Sequence, residues 1–154
     1  MASTVVREQG EGNATWMLGG RYEVKVAADD TDGAVTVMEM ALAAGMGPPP
    51  HSHTGGESVY VLEGRINYNI GGETIEGGPG SFFHIPAGTV ENFEPTEETR
   101  LLVTYTPGGI DKFFAEAGDP AEGPGLPPPP EGAPDVERIA SIGAKYGVDI
   151  QAPA

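Results

Sequence analysis

Two of the three histidines in the chain, His51 and His53, lie one residue apart, and Glu57 follows four residues after the second. Alternate residues of a strand share one face, so both imidazoles project together if the segment is extended. The prolines at 48–50 disfavour a helix, and the glycines at 55–56 permit a bend that brings Glu57 to the same point. Such a ligand set suits divalent iron, manganese, nickel, cobalt, copper or zinc. The segment predicts a metal site, against the alternative of two surface histidines.

The spacing of these residues resembles the first motif of the cupin superfamily. That motif consists of a glycine, five residues, His-x-His, three or four residues, a glutamate, six residues and a glycine. It is complete in this chain at Gly45, His51, His53, Glu57 and Gly64. The second motif, which starts with a glycine, five residues and Pro-x-Gly, is matched at Gly80, Pro86 and Gly88. The resemblance covers residues 34–107, and the segments GPPPHSH, LLVTYTPGG, FFAEAG and AKYGVDI resemble small single-domain quercetinase-like cupins more narrowly.

The resemblance implies a jelly-roll β-barrel of two antiparallel sheets, a metal at the mouth of the barrel and a small-molecule substrate. Cupins of this kind are often dimers, so a homodimer is expected. In the quercetinase-like family the glutamate at position 57 also takes the proton of a substrate hydroxyl. Glu57 is therefore expected to serve as both metal ligand and catalytic base.

The chain departs from the second motif at Glu91, where the motif has its third histidine, and at Pro95, where it has an asparagine. Three interpretations are open for Glu91. It ligates the metal together with His51, His53 and Glu57, it acts beside the metal as an acid or base, or the site is degenerate and empty. We favour the first. A carboxylate in place of an imidazole hardens the site and shifts its preference toward manganese, iron(II), zinc or magnesium.

Four further residues could contact the metal ligands and hold them in position, or could contact the substrate: His84, Tyr60, Phe93 and Met46. His84 shares a strand face with Phe82, and that face decides whether the imidazole reaches the barrel interior. A packed or interface histidine is the favoured interpretation of His84. The aromatic residues and Met46 would suit a cavity for an aromatic or polyketide-like ligand, although core packing explains such residues as well.

Composition excludes several classes of function. The 154 residues fit one domain, and the absence of cysteine excludes disulfides, thiolate nucleophiles and cysteine-based metal sites. The net charge of −15 disfavours nucleic acids and anionic membranes as partners. The N-terminal sequence has no apolar run typical of a signal peptide, and no stretch reaches membrane-spanning length. A cytoplasmic protein is the default expectation.

The elements that must position the candidate site are predicted to be strands, within a β-barrel over residues 1–118. The best example is the segment at 65–70, where Ile66, Tyr68 and Ile70 alternate with polar residues before a Gly-Gly turn. Many short strands joined by glycine-rich turns indicate an all-β sandwich or barrel.

The remainder of the chain is predicted to differ. Asp111 is expected to cap a short helix that ends at Gly118. Residues 119–134 form a Pro/Gly-rich linker without a core of its own. Residues 135–154 are predicted to form a C-terminal helix, capped by Asp135, and a tail. One face of that helix should dock on the barrel or on a partner chain.

The leading hypothesis is a metal-dependent cupin enzyme that acts on a small, aromatic or polyketide-like molecule. By resemblance, a quercetinase-like dioxygenase is the first choice of activity, with Glu57 and Glu91 as the catalytic residues. One alternative is a non-redox cyclase, isomerase or lyase that uses the metal as a Lewis acid. Another is a non-enzymatic cupin that binds a small ligand.

Overall fold

The alternating segments of the sequence form two antiparallel sheets in the computed structural model, which describes residues 1–151. The strands are β1 (Ala14–Met17), β2 (Gly20–Val26), β3 (Thr36–Leu42), β4 (His51–His53), β5 (Gly56–Glu63), β6 (Ile66–Ile70), β7 (Glu73–Gly77), β8 (Phe82–Ile85), β9 (Glu91–Pro95), β10 (Thr99–Thr106), β11 (Asp119–Pro120) and β12 (Val148–Ile150). The helices are α1 (Ile110–Ala117) and α2 (Val136–Lys145), with a 3-10 turn at Ala28–Thr31. The all-β prediction with short C-terminal helices is confirmed.

The larger sheet has seven strands in the order β11-β1-β2-β3-β10-β5-β8, and the smaller has five in the order β12-β4-β9-β6-β7. Every neighbouring pair is antiparallel. Many neighbouring strands are distant in sequence. In the larger sheet, for example, β10 comes late in the barrel segment and lies between β3 and β5. The two sheets therefore close around a shared interior.

The interior is filled by alternate residues of the central strands. Buried and partly buried positions alternate along all seven residues of β3, so Met38 and Met40 point inward. Leu101 and Val103 of β10 are also buried, and so are Ile66 and Tyr68 of β6. The predicted hairpin is formed by β6 and β7 around Gly71-Gly72, both of which have positive φ.

The two helices cover one open end of the barrel. Both pack against each other, and α2 also packs on β12. Asp135 caps α2 as predicted, because its side chain accepts a hydrogen bond from the backbone N–H of Arg138 at 3.0 Å. In residues 1–151, neither helix is long and apolar enough to cross a membrane.

The predicted role of Asp111 as the cap of α1 is wrong. The cap position is Gly109, which has no side chain to offer, and Asp111 lies in the first turn. The Asp111 carboxylate instead accepts hydrogen bonds from Thr36 Oγ1 at 2.6 Å and from the backbone N–H of Ala28 at 3.2 Å. A strand and a turn that are distant in sequence thus supply the donors, and these hydrogen bonds to the Asp111 carboxylate fix α1 to the barrel.

Candidate metal centre

The histidines and the second glutamate are brought together by strand register. His51 and His53 form the ends of the three-residue strand β4, and Glu91 is the first residue of β9. The two strands pair with His51 directly opposite Glu91, where side chains on one face are close neighbours. Glu57 approaches from β5 in the other sheet, after the bend at residues 54–55. The four residues therefore converge from three strands.

Three side chains of this cluster are close enough to one another to bind a single metal ion. One nitrogen each from His51 and His53 and one oxygen from Glu91 lie within 4.8 Å of one another. Within this group, His51 Nε2 is 3.7 Å from Glu91 Oε1. Glu57 is outside the three-residue group, but its Oε2 lies 3.1 Å from His53 Nε2. The arrangement supports Glu91 as a ligand and leaves Glu57 beside the group.

The imidazole of His51 is held with its distal nitrogen free. Its Nδ1 lies 3.0 Å from the carbonyl oxygen of Pro49, which can accept a hydrogen bond only from a protonated Nδ1. Burial lowers the pKa of His51, and the neighbouring His53 lowers it further. A neutral ring that donates from Nδ1 carries its lone pair on Nε2, which is the form that binds metals.

Several buried polar atoms at this point have no hydrogen-bond partner. They are His53 Nε2, Glu57 Oε2, Glu91 Oε1 and Glu91 Oε2. Buried polar atoms are nearly always paired; His53 Nε2 and Glu57 Oε2 lie 3.1 Å apart, but the two oxygens of Glu91 are left without a partner, at a cost of about 1–3 kcal/mol each. A single divalent cation satisfies nitrogen and carboxylate oxygen together, so these residues fit a metal ion.

The pKa values of the two carboxylates, Glu57 and Glu91, are shifted in opposite directions. Burial by itself disfavours the charged form of Glu57, but the interactions with His53, Glu91 and His51 together outweigh it and lower the pKa of Glu57. Burial raises the pKa of Glu91 to about 10, and the charge of Glu57 contributes to this rise. Without a metal, one negative charge is therefore kept on Glu57 and one proton on Glu91.

His51, His53 and Glu57 border an inner cavity of about 60 Å³ at the helix-covered end of the barrel. Its walls are mostly apolar, and they include Phe93 and Tyr105 from the sheets, Ile110, Phe113 and Phe114 from α1, and Val148 and Ile150 from β12. Of these residues, the sequence identified Phe93 as a candidate. It missed the contributions of α1 and β12, for which the only signals were the apolar run FFAEA and the alternation of VDI.

The other predicted residues lie elsewhere. Met46 does not line the inner cavity, although it borders a groove on the other side of the cavity wall. Tyr60 and His84 point to the outer face of the larger sheet, where the His84 ring contacts the Ser58 hydroxyl at 3.1 Å. On the same face Tyr60 lies directly opposite both Phe82 and Leu102, and all three are exposed. We call these three residues the outer apolar row.

Sequence comparison agrees with this architecture. Residues 38–109 match the family model described as a cupin domain. The chain is 31% identical over 128 residues to quercetin 2,3-dioxygenase of Bacillus subtilis, an alignment that covers 82% of this chain and 38% of the relative. The chain thus spans well under half of that relative's length.

Solved structures with the same fold include enzymes of different kinds, such as a synthase and a cyclase. The structure of ectoine synthase from P. lautus has a TM-score of 0.65 at 16% identity, covering 84% of this chain and 96% of the other. The polyketide cyclase RemF from Streptomyces resistomycificus has a TM-score of 0.59 at 21% identity, covering 82% of this chain and 83% of the other. Identities this low establish the fold alone, a jelly roll of two antiparallel sheets. The cupin-domain match at residues 38–109 and the likeness to quercetin 2,3-dioxygenase support a cupin superfamily protein, and the solved structures agree with it in fold.

Proposed function

We propose that this cupin is a metal-dependent enzyme for a small, aromatic or polyketide-like molecule, and that its reaction is a quercetinase-like dioxygenation. The observation that carries the proposal is the ligand group of His51, His53 and Glu91, in which both buried oxygens of Glu91 lack a hydrogen-bond partner, beside an apolar cavity. Oxygen chemistry is supported by the likeness to the quercetin 2,3-dioxygenase of Bacillus subtilis.

In this proposal His51, His53 and Glu91 hold the cation and Glu57 handles the substrate proton. A divalent cation supplies a Lewis acid that orients substrate oxygens and, if it is redox-active, a route for electrons to dioxygen. The lowered pKa of Glu57 keeps its carboxylate ionised near neutral pH. Its Oε2 lies 3.1 Å from His53 Nε2 without a well-aligned hydrogen bond, so this carboxylate can accept the proton of a substrate hydroxyl.

The walls of the inner cavity define the class of substrate. Phe93, Tyr105 and Phe113 present aromatic surface around the ligand group and exclude water from it. A volume of about 60 Å³ holds only about two water molecules, at roughly 30 Å³ each. A ring-containing substrate must therefore displace part of the wall when it binds.

A second candidate function is a non-redox isomerisation, cyclisation or elimination, and the pair of carboxylates favours it. Glu57 is ionised and can accept a proton, whereas Glu91 retains one at neutral pH in the absence of metal. Two neighbouring carboxyl groups whose pKa values are pushed apart form an acid and base pair. If Glu91 donates its proton rather than binding the cation, the site is suited to moving a proton next to a polarised carbonyl.

Metal content and oxygen consumption test the proposal. Protein purified without a metal-affinity tag should contain close to one transition metal ion per chain, and His51→Ala should lose it. His84→Ala is the matched control, because this histidine lies on the outer face and should retain the metal.

Oxygen uptake with quercetin and with smaller catechols then separates the two candidate reactions. Uptake that depends on the metal supports dioxygenation, whereas turnover that continues without oxygen supports proton transfer. Glu91→His, which supplies the histidine of the second motif, should retain the metal. A protein without bound metal after reconstitution would refute both candidates.

A further inference from the structure

An outer groove lies on the other side of the inner cavity's wall. It has a volume of about 550 Å³ and is lined by Trp16, Gly19 and Met46 on one side. The prolines at 127–130 and Pro134 of the linker form the other side. The volume is within the range typical of small-molecule sites, about 300–1,000 Å³. The segment predicted to be a coreless linker thus forms one wall of a groove large enough for a ring system.

Three side chains border both spaces: Met17, Leu18 and Ile139. Met17 is the last residue of β1 and Leu18 is the first residue of the turn to β2, whereas Ile139 belongs to α2. Met17 is unbranched and flexible, and neither Met17 nor Leu18 breaks a side-chain hydrogen bond when it changes rotamer, whereas Ile139 is β-branched and stiff in its helix. The partition between groove and cavity is therefore thin, apolar and built from two separate elements.

The backbone at Leu18 is in a conformation that leucine seldom adopts. Leu18 has φ 49° and Gly19 has φ 77°, and together they form the two-residue turn between paired residues Met17 and Gly20. Such hairpin turns require positive φ at both positions and favour asparagine or glycine at the first. Residues held in sparsely populated conformations concentrate at ligand clamps and switch regions. Leucine at this position is unfavourable for the turn but places an apolar side chain in the partition.

The charges around the groove restrict the ligand. Asp119, Glu131 and Asp135 border the groove, and Arg138 is the cation among its lining residues. The Arg138 guanidinium already donates hydrogen bonds to the carbonyl oxygens of Ala117 and Glu116, at 3.0 and 3.1 Å. An anionic ligand would therefore meet net negative charge, whereas an uncharged, planar apolar molecule would not.

We propose that the outer groove is the substrate entrance and an outer binding subsite for uncharged aromatic molecules, with Leu18 as the gate to the metal centre. The inference rests on the proposed function for what happens beyond the gate. Trp16 supplies an aromatic surface in the groove, and its indole is fixed because Nε1 donates to the carbonyl oxygen of Gly125 at 3.0 Å. Aromatic ligands bind at the groove first and pass when Leu18 moves.

Groove binding can be tested without metal or turnover, because Trp16 is the single tryptophan of the chain. Titration with quercetin should quench its fluorescence in a saturable manner, and a sulfated, anionic derivative should bind at least tenfold more weakly. The His51→Ala/His53→Ala double variant should show the same quenching, because the groove does not include these residues. Absence of saturable quenching, or its loss in the double variant, would overturn the proposed subsite.

The gate is tested by the rate at which quercetin reaches the metal. In the Co²⁺-loaded protein, stopped-flow changes in the visible cobalt spectrum report that arrival. Leu18→Ala should accelerate it severalfold and Leu18→Phe should slow it. Leu102→Ala is the matched control, because Leu102 lies on the far side of the larger sheet and should leave the rate unaltered.

Equal rates in both Leu18 variants and the unsubstituted protein would overturn the gate. The gate would also be overturned if quercetin left the cobalt spectrum unchanged in every variant. Leu18→Gly provides a second opened gate if the alanine variant fails to fold, because glycine suits the positive φ. Groove binding and gating that occur without any turnover would refute the proposed reaction alone. The two proposals therefore fail separately.

Discussion

Metal binding should displace a proton from Glu91, and the pH dependence of metal affinity should show it. In the metal-free protein, burial and the charge of Glu57 raise the pKa of Glu91 to about 10. The pKa values of His51 and Glu57 are both lowered, so these two groups have already lost their protons near neutral pH. A ligand must be deprotonated to bind a cation. Glu91 is therefore the group expected to release a proton between pH 6 and 8.

The size of the effect follows from the raised pKa. Ionising a group three pH units below its pKa costs about 4 kcal/mol, at about 1.4 kcal/mol per unit. That cost decreases with rising pH, so the metal association constant should rise up to about tenfold per pH unit. The neighbouring carboxylate shares the same environment, so part of the proton release can be distributed over the pair.

Competition with a chelator at pH 6, 7 and 8, together with calorimetry in buffers of different ionisation enthalpy, measures both quantities. The expected result is a slope of log K against pH that is about one unit steeper than in Glu91→Gln, with about one proton released per metal. Glutamine has nearly the same shape as glutamate but no proton to lose. Identical slopes in the two proteins would refute the assignment of the proton to Glu91.

The same pKa shift has a consequence for folding that can be checked without metal. Between the ordinary value of 4.5 and about 10, the folded protein keeps a proton that the unfolded chain has released. The unfolded state then binds fewer protons than the folded one, so the free energy of unfolding decreases as pH rises through this window. Urea denaturation of the metal-free protein at pH 6 and 8 should show this decrease, and Glu91→Gln should flatten it.

Three further outcomes are expected. Asp111→Ala should reduce the free energy of unfolding by about 2 kcal/mol in urea denaturation, because it removes the acceptor of Thr36 Oγ1; the exposed Asp149→Ala should change it little. Removal of the metal by chelation should lower the melting temperature, by the equivalent of about 2.7 kcal/mol at a metal concentration of 100 times Kd, and no shift would contradict the metal site. We propose that two copies of the chain associate through the outer apolar row, so light scattering should give a dimer for the unsubstituted protein and a monomer for Phe82→Asp.

The strands of the barrel and the shared face of the two histidines could be predicted from the sequence because their determinants are local. The His-x-His spacing fixes two imidazoles on one strand face, and the alternation around Tyr68 identifies the hairpin of the smaller sheet. The role of Asp111 could not be predicted in this way. Its hydrogen-bond donors come from Thr36 and Ala28, and the sequence near α1 contains no sign of them.

The walls of the site depend on long-range packing in the same way. The VDI segment after α2 is too short to stand out as a strand, yet it pairs with β4 so that Val148 lies opposite His53. Likewise, a proline-rich segment predicts an extended chain but does not indicate which surface it lies against. Only the assembled fold shows that this segment faces Trp16 and Met46.

The pairing of β4 with β12 affects the order of events during synthesis. The strand that carries His51 and His53 has β9 on one side, where the register pairs only His51 with Glu91, and β12 on the other. Because β12 is far downstream, the ribosome must release it before the histidine strand gains its second neighbour. Cations are therefore expected to be captured after translation of this region is finished, and a nascent chain stalled before Val148 should bind them poorly.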